Sequence, residues 1–197
     1  MSKPYAELMP IYPLLAQQFL DDYGVYQGRC LDIGTGHGYL GIEIAKITEL
    51  EMYFLDINPE ALKIAEANAR EAELANPAYF LPVNVEEMPF ADNTADLIVS
   101  RGSLWFWENQ AKGLEEIYRV LKPGGVAVVG GGLGRYIPET MRKRLLAGRK
   151  KWLAERGEKR PGEKELHSLL EQAGISSYRL VADVPGEAGR WIEIKKT

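Results

Sequence analysis

Three glycines at alternate positions, Gly34, Gly36 and Gly38, follow directly on the apolar run Cys30-Leu31-Asp32-Ile33, and a helical pattern opens at about Tyr39. This stretch restricts the possible folds more than any other. A glycine turn lets a ligand approach the backbone because no Cβ stands in the way, and the helix behind it points unpaired N–H groups at the same place. Strand, glycine turn and helix in that order make a cofactor-binding device. The pattern serves many nucleotides, so the other strand ends must supply its remaining parts.

The chain around it alternates strands and helices. Residues 29–33 form a first strand, and the helix after the glycines runs to about Ile47. Met52-Tyr53-Phe54-Leu55 is a near-continuous apolar run ending at Asp56, suited to a strand buried on both faces of a parallel sheet. Asn58-Pro59 supplies an N-cap and a proline at the first helical position, opening a helix that reaches about Glu73. Further strands are expected at about 78–83, 96–100 and 126–129, with a helix from about Asn109 to Leu121 between the last two. Glu115 stands four residues before Arg119 in that helix, the spacing of an ion pair. Lys122-Pro123-Gly124-Gly125 then breaks the helix and reverses the chain.

At the amino-terminal side, residues 5–24 read as helical pieces interrupted by Pro10 and Pro13, with Tyr5, Tyr12, Tyr23 and Tyr26 close together. Residues 139–160 are rich in Arg and Lys and read as a solvated helical face. Leu166, Leu169, Leu170 and Ala173 mark a helix ending at Gly174, and strands at about 177–181 and 190–194 close the sheet as a hairpin. The alternation predicts a doubly wound α/β sheet, in which ligand sits outside the carboxyl ends of the strands. Asp32, the glycine turn, Asp56, Asn84, residues 100–107 and the glycines at 130–134 all fall at those ends.

Composition narrows the function. A chain of 197 residues is expected to make one domain with a substantial core, and a net charge of −4 argues against a dedicated nucleic-acid binder. No stretch approaches a membrane span and no apolar segment follows Met1-Ser2-Lys3-Pro4-Tyr5, so a cytoplasmic location is expected. The single cysteine, Cys30, leaves no internal disulfide and reads as an inert buried thiol in the first strand. His37 and His167 are too few and too distant to suggest a metal centre.

The cofactor follows from details. A dinucleotide fingerprint, Gly-x-Gly-x-x-Gly, would put its third glycine at position 39, where this chain has Tyr39. Asp32, two positions before the first glycine, would repel a pyrophosphate but suits an ammonium group. Asp56 can accept hydrogen bonds from both hydroxyls of a ribose. These features describe a nucleoside with an amino-acid tail and no phosphate. S-adenosyl-L-methionine fits them.

The same residues resemble a known family. Asp32-Ile33-Gly34-Thr35-Gly36-His37-Gly38 looks like motif I of the class I S-adenosylmethionine-dependent methyltransferases, and Asp56 sits at their ribose position. Residues 84–90 followed by 95–100 resemble their motif II region and fourth strand, and Arg119-Val120-Leu121-Lys122-Pro123-Gly124-Gly125 is similar to the turn before their fifth. The resemblance spans about residues 28–132 and is nearest to the methyltransferase type 11 group, which includes quinone-biosynthesis and other small-molecule enzymes, with uncharacterised prokaryotic members. It implies a Rossmann-like seven-stranded sheet of order 3-2-1-4-5-7-6, the seventh strand antiparallel, with helices on both faces. It also implies a cofactor set of Asp32, Gly34, Thr35, Gly36, Gly38, Asp56, Ile57, Asn84, Val85, Ser100, Arg101 and Gly102. One departure stands out: the family usually has Asp where this chain has Asn84. The amide oxygen can still accept the adenine amino group, but without charge assistance.

Methyl transfer from a sulfonium needs alignment and desolvation and no metal, and no residue here stands out as a general base. Ser100-Arg101-Gly102-Ser103 occupies the place of the Asn/Asp-Pro-Pro-Tyr/Phe signature of enzymes that methylate exocyclic or amide nitrogens, so a small-molecule acceptor is expected and nucleic acid is not. Tyr12, Trp105, Trp107, Glu108 and Arg135 are candidates for the substrate mouth, and Arg101 suits either an anionic substrate or the cofactor carboxylate. Within one domain, residues 1–27 read as an N-terminal helical flap, 28–132 as the cofactor-binding core and 133–197 as the basic helical segment and C-terminal hairpin. A homodimer stays open. A non-catalytic S-adenosylmethionine-binding or cofactor-modifying protein would keep the same site, and a nicotinamide oxidoreductase is disfavoured by Gly38.

Overall fold

A computed structural model describes residues 7–156, 161–186 and 190–197. Seven strands carry the architecture: β1 (Arg29–Ile33), β2 (Glu51–Asp56), β3 (Ala78–Pro82), β4 (Ala95–Arg101), β5 (Leu121–Gly130), β6 (Tyr178–Ala182) and β7 (Arg190–Lys195). They form one sheet in the order β3-β2-β1-β4-β5-β7-β6. The first five run parallel, and β7 pairs antiparallel with both β5 and β6. The sheet order and fold class expected from the resemblance are the ones observed. The strand order reverses between β1 and β4, and a doubly wound sheet places its ligand crevice at such a switch point.

Helices α1 (Ile11–Tyr23), α2 (Tyr39–Ala45), α3 (Pro59–Glu71), α4 (Gln110–Val120), α5 (Glu139–Arg156) and α6 (Glu163–Gln172) cover both faces. Side-chain alternation along the strands divides the core. Cys30, Met52, Phe54, Leu97, Val99, Val126 and Val128 pack with Leu15 and Phe19 of α1, Leu40 and Ile44 of α2, and Ala69 of α3. Leu31, Ile33, Leu55, Ile98, Ala127 and Val129 face the other way, against Leu114 and Ile117 of α4 and Leu166 and Leu170 of α6. With both faces dry, the strands are apolar throughout instead of alternating with polar residues.

Several local expectations need correction. Pro10 does end the preceding turn, but Pro13 lies in the first turn of an unbroken α1, where its missing N–H would have had no helical partner. Glu115 pairs with Lys112, and Arg119 turns instead to Glu116 and Asp92. The preference follows from the second partner: Asp92 and the carbonyls around it stand on the Glu116 side of Arg119. The turn at Lys122–Gly125 does not precede β5 but bulges out of it, since Leu121 already pairs with Ala95 before the register resumes at Leu97–Val126. Tyr5 lies outside the described residues. Of its expected companions, Tyr23 donates to the buried Glu193 on β7 and Tyr26 is exposed, so the tyrosines do not form one cluster.

Candidate functional site

The glycine turn links the ends of β1 and β2. Thr35 N–H donates to the Leu55 carbonyl at 2.9 Å, Gly36 N–H to Asp56 Oδ2 at 2.8 Å, and Gly38 N–H back to the Thr35 carbonyl at 3.0 Å. All three glycines hold left-handed backbone, with φ of 62°, 56° and 81° at Gly34, Gly36 and Gly38. A side chain there is strained in each case. The surroundings differ: a Cβ at Gly34 would fall 2.2 Å from Ser103 Cβ, whereas one at Gly36 would meet nothing within 4 Å. The turn is therefore closed behind Gly34 and open above Gly36, where a ligand would lie against bare backbone.

Two carboxylates flank this opening. Asp32 sits on the sheet face that carries α2, only 2% exposed, and its Oδ2 accepts from Thr35 Oγ1 at 2.6 Å and from Gly41 N–H at 3.1 Å. Burial raises its carboxyl from 3.8 to about 6, against the opposing pull of those two donors, and the nearby charge of Asp56 adds to the rise. Neither oxygen of Asp32 is ion-paired to a described residue. A cationic ligand would relieve that buried charge. Asp56 is half-buried at the end of β2 and accepts from Gly36 N–H through Oδ2 and from Asn58 N–H at 2.9 Å through Oδ1. Each oxygen keeps a second lone pair, enough for a pair of ligand hydroxyls. Ile57 beside it is 71% exposed, an apolar surface at the rim with no packing partner that its position requires.

Beyond β3, Asn84 is exposed and its amide oxygen accepts from Glu86 N–H at 3.0 Å, an Asx turn. Val85 is buried, its side chain packed beneath Trp107 and Gly113. Arg119 clamps the loop that follows. Its guanidinium donates to the carbonyls of Met88 at 3.1 Å and Phe90 at 2.7 Å and bridges Asp92 and Glu116, while Glu116 accepts from Met88 N–H. This pin on the loop after Asn84 was readable in the chain only as a helical pair.

On the β4 side, Ser100 Oγ and Ser103 Oγ lie 2.5 Å apart and Ser103 also donates to the Ile33 carbonyl, so the strand end is tied back to the glycine turn. Gly102, with φ of 81°, donates to the Gly130 carbonyl at 2.6 Å. Arg101 lies across Tyr12: its Cζ is 5.2 Å from the ring centroid, and Nε donates to the Gly132 carbonyl at 3.1 Å. Tyr12, buried in α1, packs on Tyr39 at 5.5 Å, and Tyr39 on His37 of the glycine turn at 5.7 Å. Ser103, Tyr39 and His37 had no role assigned from the chain alone. Their signal was present in sequence only as proximity to the glycines.

The other mouth candidates scatter. Trp107 and Glu108 line an open cleft of about 710 Å³ together with Glu86, Asn109, Gln110 and Leu169; no residue of the glycine turn borders it. Trp105 is half-buried, its indole nitrogen 3.7 Å from where a Cβ at Gly131 would lie. Arg135 turns away from the strand ends and forks onto Asp22 of α1, with Tyr136 donating to Asp21 beside it. Cys30 is fully buried, and desolvation holds its thiol far above the usual range.

Comparison with known proteins agrees with this geometry. A family model described as a methyltransferase domain matches residues 31–129. Among curated relatives, 2-methyl-6-phytyl-1,4-hydroquinone methyltransferase 2 of Oryza sativa subsp. japonica is 31% identical over 153 residues, which is 77% of this chain and 40% of that protein. The ubiquinone/menaquinone biosynthesis C-methyltransferase of a Marinomonas strain is 32% identical over 122 residues, 60% of this chain and 49% of its own. The chain thus spans half or less of the length of these relatives. A crystal structure from Methanococcus maripaludis, described as an S-adenosyl-L-methionine-dependent methyltransferase, superimposes with a TM-score of 0.84 at 36% identity, over 97% of this chain and 87% of that one. An Aquifex aeolicus methyltransferase shares the fold, with a TM-score of 0.66 at 23% identity. Motif, sheet order and relatives converge: the chain belongs to the class I S-adenosylmethionine-dependent methyltransferases.

Proposed function

We propose that this protein transfers a methyl group from S-adenosylmethionine to a small-molecule acceptor. The observation that carries the reading is the pairing of an open, left-handed glycine turn with two carboxylates, Asp32 and Asp56, that pair with no cation among the described residues. The donor set suits this cofactor. Asp32 would receive the ammonium through Oδ1, the oxygen that takes neither of the bonds described above. Asp56 would take the ribose hydroxyls, Ile57 would cover one face of the adenine, and Asn84 with the Val85 backbone would meet its edge. Thr35, Gly34, Gly36 and Gly38 would line the tail, with Ser100 and Gly102 fixing the β4 side.

When bound, the sulfonium supplies an electrophilic methyl group already activated by its charge. The chain's own work is then to bind, orient and exclude water. Buried Gly130–Gly134 and the Tyr12–Tyr39 pair wall the opening on the β5 and α1 sides. The division into a flap (1–27), a cofactor core (28–132) and a closing segment (133–197) of one domain is our reading, and residues 1–6, 157–160 and 187–189 lie outside the described residues. The relatives named for hydroquinone and quinone methylation support a small organic acceptor. No helix among the described residues is long and apolar enough to cross a membrane. The test is a methyl-transfer screen. Radiolabelled S-adenosylmethionine is incubated with the protein and a small-molecule metabolite extract. Label should pass to a product that Asp56→Ala does not form; label retained wholly in the donor across all fractions would contradict catalysis.

A further inference from the structure

The resemblance counts Arg101 in the cofactor set, but its surroundings in the fold point to another use. Arg101 ends β4, and its guanidinium is surrounded by neutral groups: the Gly132 carbonyl at 3.1 Å, the Tyr12 hydroxyl at 3.4 Å and the Tyr12 ring. Arg119, Arg135 and Arg179 each face a carboxylate within 3 Å, whereas no carboxylate among the described residues pairs with Arg101. Nη2 donates to nothing among them, and the contact of Nη1 is long. A half-buried guanidinium is costly to leave without a counter-charge, and its two terminal nitrogens form a fork that matches a carboxylate.

Position decides which carboxylate. Asp56 and the glycine turn lie at β2 and β1, so the nucleoside runs along that half of the sheet, and the tail reaches β4 only at Ser100 and Gly102. Arg101 lies past the switch point and leans farther from β1, since Nε is held by the carbonyl of Gly132 after β5. Around it stand the backbone of Gly131 and Gly132, with Asp183 and Trp191 packed behind Gly132, and the ring of Tyr12. We propose that Arg101 is the acceptor-binding residue of this enzyme and that the acceptor carries a carboxylate, held end-on by Nη1 and Nη2. The inference rests on the methyltransferase reading above. The cofactor's own carboxylate shares the same chemistry, so the experiment separates the two sources.

Protein saturated with S-adenosylhomocysteine is titrated, by ligand-observed NMR, with matched pairs: benzoate against benzamide, and 3-methylbutanoate against its amide. Each carboxylate should bind at least tenfold more tightly than its amide. Arg101→Met should erase the difference while changing the affinity for S-adenosylhomocysteine by less than threefold, and Arg101→Lys should restore part of the preference. Equal binding of acid and amide, binding of neither, or a preference that survives Arg101→Met would overturn the proposal. So would a tenfold loss of S-adenosylhomocysteine affinity in Arg101→Met with unchanged affinity for methylthioadenosine, which has no carboxylate; Arg101 would then hold the cofactor tail. The acid–amide comparison needs no variant and stands even if Arg101→Met misfolds. Failure of the wild-type protein to bind S-adenosylhomocysteine would instead remove the cofactor reading itself.

Discussion

Gly36 and Asp56 are joined across the candidate site: the Gly36 N–H donates to Asp56 Oδ2 at 2.8 Å, so the carboxylate proposed to meet the ribose also shapes the glycine turn. The end of β2 is thereby coupled to the loop after β1. Removing Asp56 should disturb cofactor binding twice over, through the lost ribose acceptor and through a turn no longer held in place.

Asp56→Ala is therefore expected to weaken S-adenosylhomocysteine binding by a factor of about 100 or more, close to 3 kcal/mol. Asp56 is half-buried and its partners are backbone N–H groups at a surface turn, so thermal melts of the apo protein should shift by only a few degrees. A loss of binding that merely tracks unfolding would argue against a direct role.

Asp32 sets stability against function. Its carboxyl lies at about 6 in the folded chain and 3.8 when exposed, so the folded state holds this proton more tightly than the unfolded state. The stability it contributes is complete below 3.8 and is lost as pH rises through about 6, amounting to roughly 3 kcal/mol at neutral pH. Asp32→Asn keeps an oxygen for Thr35 and Gly41 and removes the buried charge. It should leave the melting temperature at pH 8 unchanged or higher while lowering S-adenosylhomocysteine affinity at least tenfold. In the wild type, affinity should be flat above pH 7 and fall below pH 6, where the ammonium must displace a proton. Calorimetry across pH 5–8 checks both, and a pH-independent wild type would remove Asp32 from the tail site.

Gly34 and Gly36 should fail differently. Both sit near φ +60°, which costs an L-residue about 1–2 kcal/mol. Gly34→Ala also drives a methyl into Ser103, so it should be destabilised well beyond that and regain part of the loss in combination with Ser103→Gly. Gly36→Ala meets no atom and should fold, yet place its methyl where the ligand lies. Paired melting and binding curves for the three variants read out the distinction.

Arg119 should matter for the adenine side without touching it. Arg119→Ala frees the carbonyls of Met88 and Phe90 and leaves Glu116 uncompensated, a loss on the order of 2–4 kcal/mol. Hydrogen exchange should show lost protection at Met88, whose N–H donates to Glu116.

The juxtaposition of residues at the candidate cofactor site was legible because it is local. Asp32 and the three glycines lie within seven residues, and Asp56 is marked by the apolar run before it and the Asn58-Pro59 helix start after it. Strand positions were legible for the same reason, since a strand buried on both faces is written as an apolar block. What pairs across distance was hidden. Arg135 meets Asp22 from 113 residues away, Arg101 meets Tyr12 from 89, and Trp191 anchors the loop after β5 through Asp183, which also accepts from Leu133 N–H. Arg119 was misread because local spacing offered Glu115, whereas the loop carbonyls and Asp92 that decide its direction become neighbours only in the fold.

The central claim is that the turn over Gly36, between Asp32 and Asp56, holds S-adenosylmethionine. Calorimetric titration of the wild-type protein with this compound at pH 7.5 tests it most directly. One-to-one binding with a dissociation constant in the micromolar range, competed by S-adenosylhomocysteine and not by NADH, is the expected result. Absence of measurable binding to the folded protein, or displacement by NADH, would contradict it.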